Sequence, residues 1–441
     1  MNEVKLLLIS ILFLKATIMS GQDQKTDTLV RHEKIKKGWN VAALPALGYD
    51  SDLGLNYGII SNVYDYGKIY PKYRHSFFLE ISRNSKGSWK NTISYDSEFL
   101  IPKTRITIQG CRFIEQASDF FGFNGYKAYY NPDLETKGNP EYISRMYYRY
   151  QRVQTFVDLT LQGSIVDKKL RWLGGCTFFN TKIGSVNIHK LNRGRRNKDQ
   201  LPDTFLLYDN YVKWGIIPQN QKRGGESRVA KLGVVYDTRD NEPNPMRGIW
   251  TEAMIVAAPS FFGNKNSFAK LIVTHRQYFT LKKDILNLAY RISYQGRIGG
   301  EVPFYMLPEV YNSDDIREGL GGSRTLRGVL RNRVIGESFV YGNLELRCKC
   351  LWLTLFNQNF YFAVDGFTDF GRIVEKYKFT TDNPDAINYL SKGSPETWHQ
   401  TYGLGLYGAM NQNFVGGITY GIAANPKDGK NGLYVVIDFL F

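Results

Sequence analysis

Five arginines crowd one glycine-rich stretch: Arg317, and then Arg324, Arg327, Arg331 and Arg333 in the run that reads GLGGSRTLRGVLRNRVIGESFVYGNLELR from residue 319. A guanidinium carries its charge at every working pH and presents a rigid fork of donors that fits a carboxylate edge-on. Carboxylates able to answer it follow soon after, at Glu345, Asp365 and Asp369. Read from the residues alone, these arginines are ordinary solvated loop charges or groups available for ion pairing. Bond-breaking machinery is not evident. Residues 319–328 hold no Gly-x-Ser-x-Gly elbow, and the chain has no His-Glu-x-x-His helix and no Cys-x-x-Cys pair. The histidines, His32, His75, His189, His275 and His399, fall on different segments. No catalytic residue, metal site or cofactor is expected.

The elements that must position these charges are strands. Leu286, Leu288, Tyr290, Ile292 and Tyr294 alternate with Asn287, Arg291, Ser293 and Gln295. Val153, Thr155, Val157, Leu159 and Leu161 alternate with Arg152, Gln154, Asp158, Thr160 and Gln162. Such period-two runs, long and with one face kept polar, fit lipid outside and a wet lumen inside. Strands are expected over 40–48, 55–66, 74–84, 88–100, 104–116, 143–163, 168–184, 226–239, 247–259, 265–281, 283–299, 336–349, 356–371, 397–410, 414–424 and 432–441. That is an all-β, sixteen-stranded antiparallel transmembrane barrel. With the N-terminus in the periplasm, the short turns 101–103, 164–167, 282 and 411–413 sort to one side. The long links 117–142, 185–225, 300–335 and 372–396 sort to the other.

In a closed barrel the first strand pairs with the last. Pro45 sits in the first and cannot donate a ladder hydrogen bond, which either weakens that seam or marks a bulge or edge adjustment. In the last, Val435, Ile437, Phe439 and Phe441 are expected to face one way.

Lys5 precedes the apolar run 6–14, too short to cross a bilayer and suited to a secretory signal over 1–21. A short polar periplasmic segment, 22–38, then leads to the barrel at 39–441. The formal charge of +16 suits anionic surroundings such as acidic lipid or lipopolysaccharide, or equally a solvated basic loop surface, and nucleic acid is a poor partner for an exported barrel. Cys111, Cys176, Cys348 and Cys350 read as apolar filler.

Four ordered motifs carry a family resemblance. GGSRTLRG, residues 321–328, resembles the loop 6 motif of the Omp85 superfamily, the surface-antigen barrel of BamA-like and TamA-like proteins. The motif residues are Gly321, Gly322, Ser323, Arg324, Leu326, Arg327 and Gly328. The stretch from Tyr236 to Gly248 resembles the family's strand–turn–strand signature. Gly342-Asn343-Leu344-Glu345 resembles the strand after loop 6, and Phe367 to Gly371 its Phe-x-Asp-x-Gly strand. The sequence departs from the family at Val329, where an aromatic is usual.

The resemblance implies that loop 6 folds back into the lumen and that Arg327 pairs with the inner wall, with Asp369 the first partner and Glu345 and Asp365 next. Strand parity agrees, since Asn343, Glu345 and Arg347 share a face, as do Asp365, Phe367 and Asp369. It implies an outer-membrane role in protein insertion or translocation, with unfolded barrel clients. The client-receiving POTRA domains of the family have no room here, so delivery is expected from a separate periplasmic or lipoprotein partner. A selective or passive pore, or a structural subunit of an envelope complex, are the other uses of such a scaffold.

Overall fold

The computed structural model describes residues 38–441, apart from 52, 68–72, 168, 243, 314–315, 356–357, 411–413 and 438. The signal segment 1–21, nearly all of 22–38 and the turn at 411–413 lie outside the described residues.

Eighteen strands follow in chain order: β1 (Trp39–Asp50), β2 (Gly54–Asp65), β3 (His75–Asn84), β4 (Trp89–Ile101), β5 (Thr104–Asp119), β6 (Arg149–Val166), β7 (Leu170–Gly184), β8 (Gly224–Asp237), β9 (Gly248–Ala258), β10 (Phe268–Lys282), β11 (Leu286–Gly300), β12 (Glu309–Tyr311), β13 (Ile316–Glu318), β14 (Ser338–Leu355), β15 (Gln358–Glu375), β16 (His399–Met410), β17 (Phe414–Ala423) and β18 (Asn431–Ile437). Sixteen of them close into an antiparallel barrel, while β12 and β13 form a separate small hairpin. That hairpin lies in the loop between β11 and β14, where no strand is expected from the sequence.

Alternation decides the two faces. On β3, Phe77, Leu79 and Ile81 are exposed on the outer wall, and Ser76 and Ser82 are buried on the inner one. On β15, Phe362 and Val364 face outward while Asp365, Phe367 and Asp369 are buried. An apolar outer band around a polar interior is what a bilayer selects.

The long connections 120–148, 185–223, 301–337 and 376–398 all emerge at one end, the outer end of a barrel whose long loops face away from the periplasm. They pack on one another through rings. Phe123 lies 4.7 Å from Tyr377, Tyr211 5.7 Å from Trp214, and Trp214 5.3 Å from Tyr389, centroid to centroid. Asn124 and Tyr377 exchange hydrogen bonds of 2.9 and 2.7 Å across the same junction. These ring contacts and hydrogen bonds tie the loops to one another at that end.

The last strand is shorter than expected. β18 stops at Ile437, and Phe439, Leu440 and Phe441 leave the ladder and are buried. Phe439 and Phe441 therefore do not share the outward face of Val435. The reason is attraction from the inner wall. The Phe439 ring lies 4.5 Å from that of Tyr407 and 4.4 Å from the Arg347 guanidinium. Phe441 lies 5.1 Å from the same guanidinium, and its carbonyl oxygen accepts from Arg347 Nη2 at 3.0 Å. Cation–π contacts of this kind gain strength once desolvated. Leu440 and Phe441 pack with Tyr278 of β10 and Ala289 of β11, strands six and five places around the wall from β18.

All four cysteines are free.

Candidate functional site

The 301–337 loop enters the barrel. Leu320, Leu326, Val329 and Val334 bury themselves with Phe339, Tyr341 and Ile373 of the inner wall. Val329 is fully buried there. The turn is made by glycines. Gly321 has φ +115°, and a Cβ on it would lie 2.0 Å from the Leu330 carbonyl oxygen. Gly322 donates to the Val329 carbonyl at 2.9 Å, and Thr325 Oγ1 donates to the carbonyls of Gly319 and Gly321, each at 3.1 Å.

Arg327 stands at the tip and is 1% exposed. Its Nε and Nη2 donate to the two oxygens of Asp369 at 2.9 and 2.8 Å, and its backbone N–H donates to Asp369 Oδ2 at 2.9 Å. Nη1 lies 2.7 Å from Glu345 Oε1. Asp365 stays back, with Oδ2 3.9 Å from Nη1. The guanidinium lies 3.4 Å from the centroid of the Phe367 ring. Burial pushes the guanidinium toward giving up its proton, but Asp369 and Glu345 outweigh that and hold it above its ordinary value. A charge buried with this many partners is fixed in one geometry.

The wall residues serve the same loop. β14 and β15 set Asn343 opposite Asp369 and Glu345 opposite Phe367. Asn343 Nδ2 donates to Asp369 Oδ1 at 2.8 Å and to the Thr325 carbonyl at 2.7 Å. Gly371 makes room for Leu326, whose methyl carbons would lie 3.0 and 3.3 Å from an added Cβ. Ser323 is half-buried and Arg324 is exposed, and the Arg324 carbonyl accepts from Arg291 at 3.1 Å.

Several partners escape a sequence reading. Arg331 Nη1 donates to Glu115 of β5 at 2.5 Å. Arg333 donates to the carbonyls of Gly125, Ala128 and Lys427, three backbone sites on neighbouring outer loops. Glu309 on the inner hairpin accepts from Arg152 and Gln154 of β6 at 2.5 and 2.6 Å. Gly328, φ +99°, rests backbone to backbone on Gly421 of β17, and its N–H donates to Tyr434 Oη on β18 at 3.2 Å. The signal available was parity: Arg152 falls on the polar face of its strand. Nothing in the sequence says which inward charge meets which loop residue.

The tip thus lies beside the junction of β1 and β18. Every residue of β1 is paired with β2 without a bulge, including Pro45 with Ile59. Toward β18, among the described residues, Asp50 with Tyr434 is the single registered pair. Ser51 adds hydrogen bonds with the Leu433 backbone: its N–H donates at 3.1 Å and its Oγ accepts at 2.8 Å. Pro45 stands on the exposed face of β1.

The family described as Omp85 superfamily domain matches residues 124–412, more than half of the chain. No curated protein matches the sequence. Among solved structures, BamA from Haemophilus ducreyi lacking POTRA domains 1–3 superposes with a TM-score of 0.54 at 16% identity. The match covers 91% of this chain and 70% of that one. CdiB from Escherichia coli gives 0.53 at 11% identity, covering 90% of this chain and 63% of that one, under two thirds of its length. Both share the barrel fold.

Proposed function

Because the chain belongs to the Omp85 superfamily, we propose that this outer-membrane barrel handles proteins without catalysing chemistry, in their insertion or translocation. The observation that carries the proposal is the seam. Among the described residues β1 registers with β18 at one pair, Asp50 with Tyr434, and Phe439, Leu440 and Phe441 are buried instead of running on along β1. A strand edge with free N–H and C=O groups is a template for another strand. An incoming strand would pair there, while the 301–337 loop braces the wall next to it through Arg327, Glu345 and Asp369. Residues 1–21 would export the chain and 22–38 would lie in the periplasm. Its partners would be outer-membrane lipid, unfolded barrel clients, and a periplasmic or lipoprotein factor that delivers them.

A passive pore fits less well, because the 301–337 loop packs inside the barrel against Phe339, Tyr341 and Ile373. Depletion of the protein, followed by quantification of outer-membrane proteins, tests the proposal. Levels of several barrel proteins should fall. Unchanged levels would reject it, and steady single-channel conductance from the purified protein would favour the pore.

A further inference from the structure

A cleft of about 800 Å³ opens on the outer loops where β7 meets the 185–223 connection. Four cations line it: Lys182, Lys213, Lys222 and Arg223. Among the described residues, none of the four has a carboxylate within salt-bridge distance. The one acid in the lining, Asp209, is already engaged, accepting from the Leu206 N–H at 3.0 Å and from the Ser185 hydroxyl. Four positive side chains in one concavity repel one another unless an anion sits between them.

The cleft's position indicates where that anion comes from. Lys182 lies on the same face of β7 as Phe178 and Cys176, which are exposed on the outer wall. At about 3.3 Å per residue, Lys182 stands roughly 13 Å beyond Phe178 along that face. Opposite Phe178, the Arg228 guanidinium lies 5.7 Å from the Phe178 ring, donates to the Phe262 carbonyl at 3.2 Å and pairs with Glu226 at 2.9 Å. Phe205, 66% exposed, stands at the cleft itself. Apolar wall, then aromatic, then cation is the order in which a bilayer passes from acyl chain to headgroup.

We infer that this cleft binds a phosphate-bearing headgroup of an outer-leaflet glycolipid. The inference is independent of the seam and of the protein-handling role. Lysine and arginine ends supply charge-assisted hydrogen bonds to the phosphate oxygens, and Phe205 offers an apolar face to the attached sugar or acyl chain.

Binding can be measured on the full chain in detergent micelles, with purified lipopolysaccharide, the same material stripped of phosphate, and inorganic phosphate as probes. Replacing Lys182, Lys213, Lys222 and Arg223 by Gln should weaken binding of the phosphorylated probe by about tenfold or more, as loss of several charge-assisted contacts requires. Lys182→Gln alone should weaken it in the same direction, which keeps the test open if the fourfold variant folds poorly. A control removing four exposed charges from the adjacent segment, at Lys190, Arg193, Arg196 and Lys198, should leave binding nearly unchanged. Equal loss in cleft and control variants would overturn the inference, as would equal binding of phosphorylated and stripped probes. Displacement by inorganic phosphate at low millimolar concentration would assign the cleft to free phosphate and overturn the glycolipid reading.

Discussion

Arg327 of the inserted loop and Arg347 of β14 hold the same carboxylate: Arg327 Nη1 lies 2.7 Å from Glu345 Oε1, and Arg347 Nη2 lies 2.7 Å from Glu345 Oε2. Arg347 also holds the Phe441 carbonyl at 3.0 Å. The loop tip and the chain's last residues are therefore joined through one side chain. A change in either is felt by the other through a contiguous ionic network.

Glu345→Gln keeps the shape and removes the charge both arginines face. Uncompensated buried charge costs about 3–5 kcal/mol. The urea midpoint for loss of heat-modifiable migration should fall accordingly. An unchanged midpoint would mean that Glu345 is not the shared anchor.

Arg327→Lys cannot reproduce the two-pronged contact with Asp369 while reaching Glu345. Lysine at a bidentate, ring-stacked site is not conservative. A double-mutant cycle between Arg327→Lys and Asp369→Asn should show coupling of about 1.5–3 kcal/mol. Additive effects would separate the two residues.

Gly421→Ala places a Cβ 2.3 Å from the Arg327 carbonyl oxygen, whereas at Gly416 the nearest atom is 4.0 Å away. The first should displace the loop tip at a cost of about 1–3 kcal/mol. The second should be tolerated. Maleimide labelling at Ser323→Cys reads the difference, rising in the Gly421 variant and unchanged in the Gly416 one.

Arg347→Ala removes the hold on Phe439 and Phe441. The tail should become accessible, so Leu440→Cys, buried in the wild type, should label at least several-fold faster in that background. Equal labelling rates would mean that ring packing alone keeps the tail inside.

Much of the barrel was legible in the sequence because alternation is written residue by residue. The expected strands 104–116 and 265–281 differ from β5 and β10 by only a few residues. Parity also set Glu345 and Asp369 on the inner face, where they meet Arg327. The tail was misread because parity assumes that a strand continues. Val435, Ile437, Phe439 and Phe441 obey the period, yet the inner-wall contacts of Arg347 and Tyr407 draw the last two inward. The hairpin β12–β13 was missed because three-residue strands carry no readable period. Pairs such as Arg331 with Glu115 depend on the whole barrel closing, which no local pattern encodes.

The protein-handling role requires β1 and β18 to part where Ser51 and Leu433 hold them together. It is tested most directly by locking them with a disulfide between Ser51→Cys and Leu433→Cys, in a background without the four native cysteines. Cells relying on the locked protein should lose several outer-membrane barrel proteins and regain them when reductant opens the bond. Normal levels with the seam fully cross-linked would contradict it.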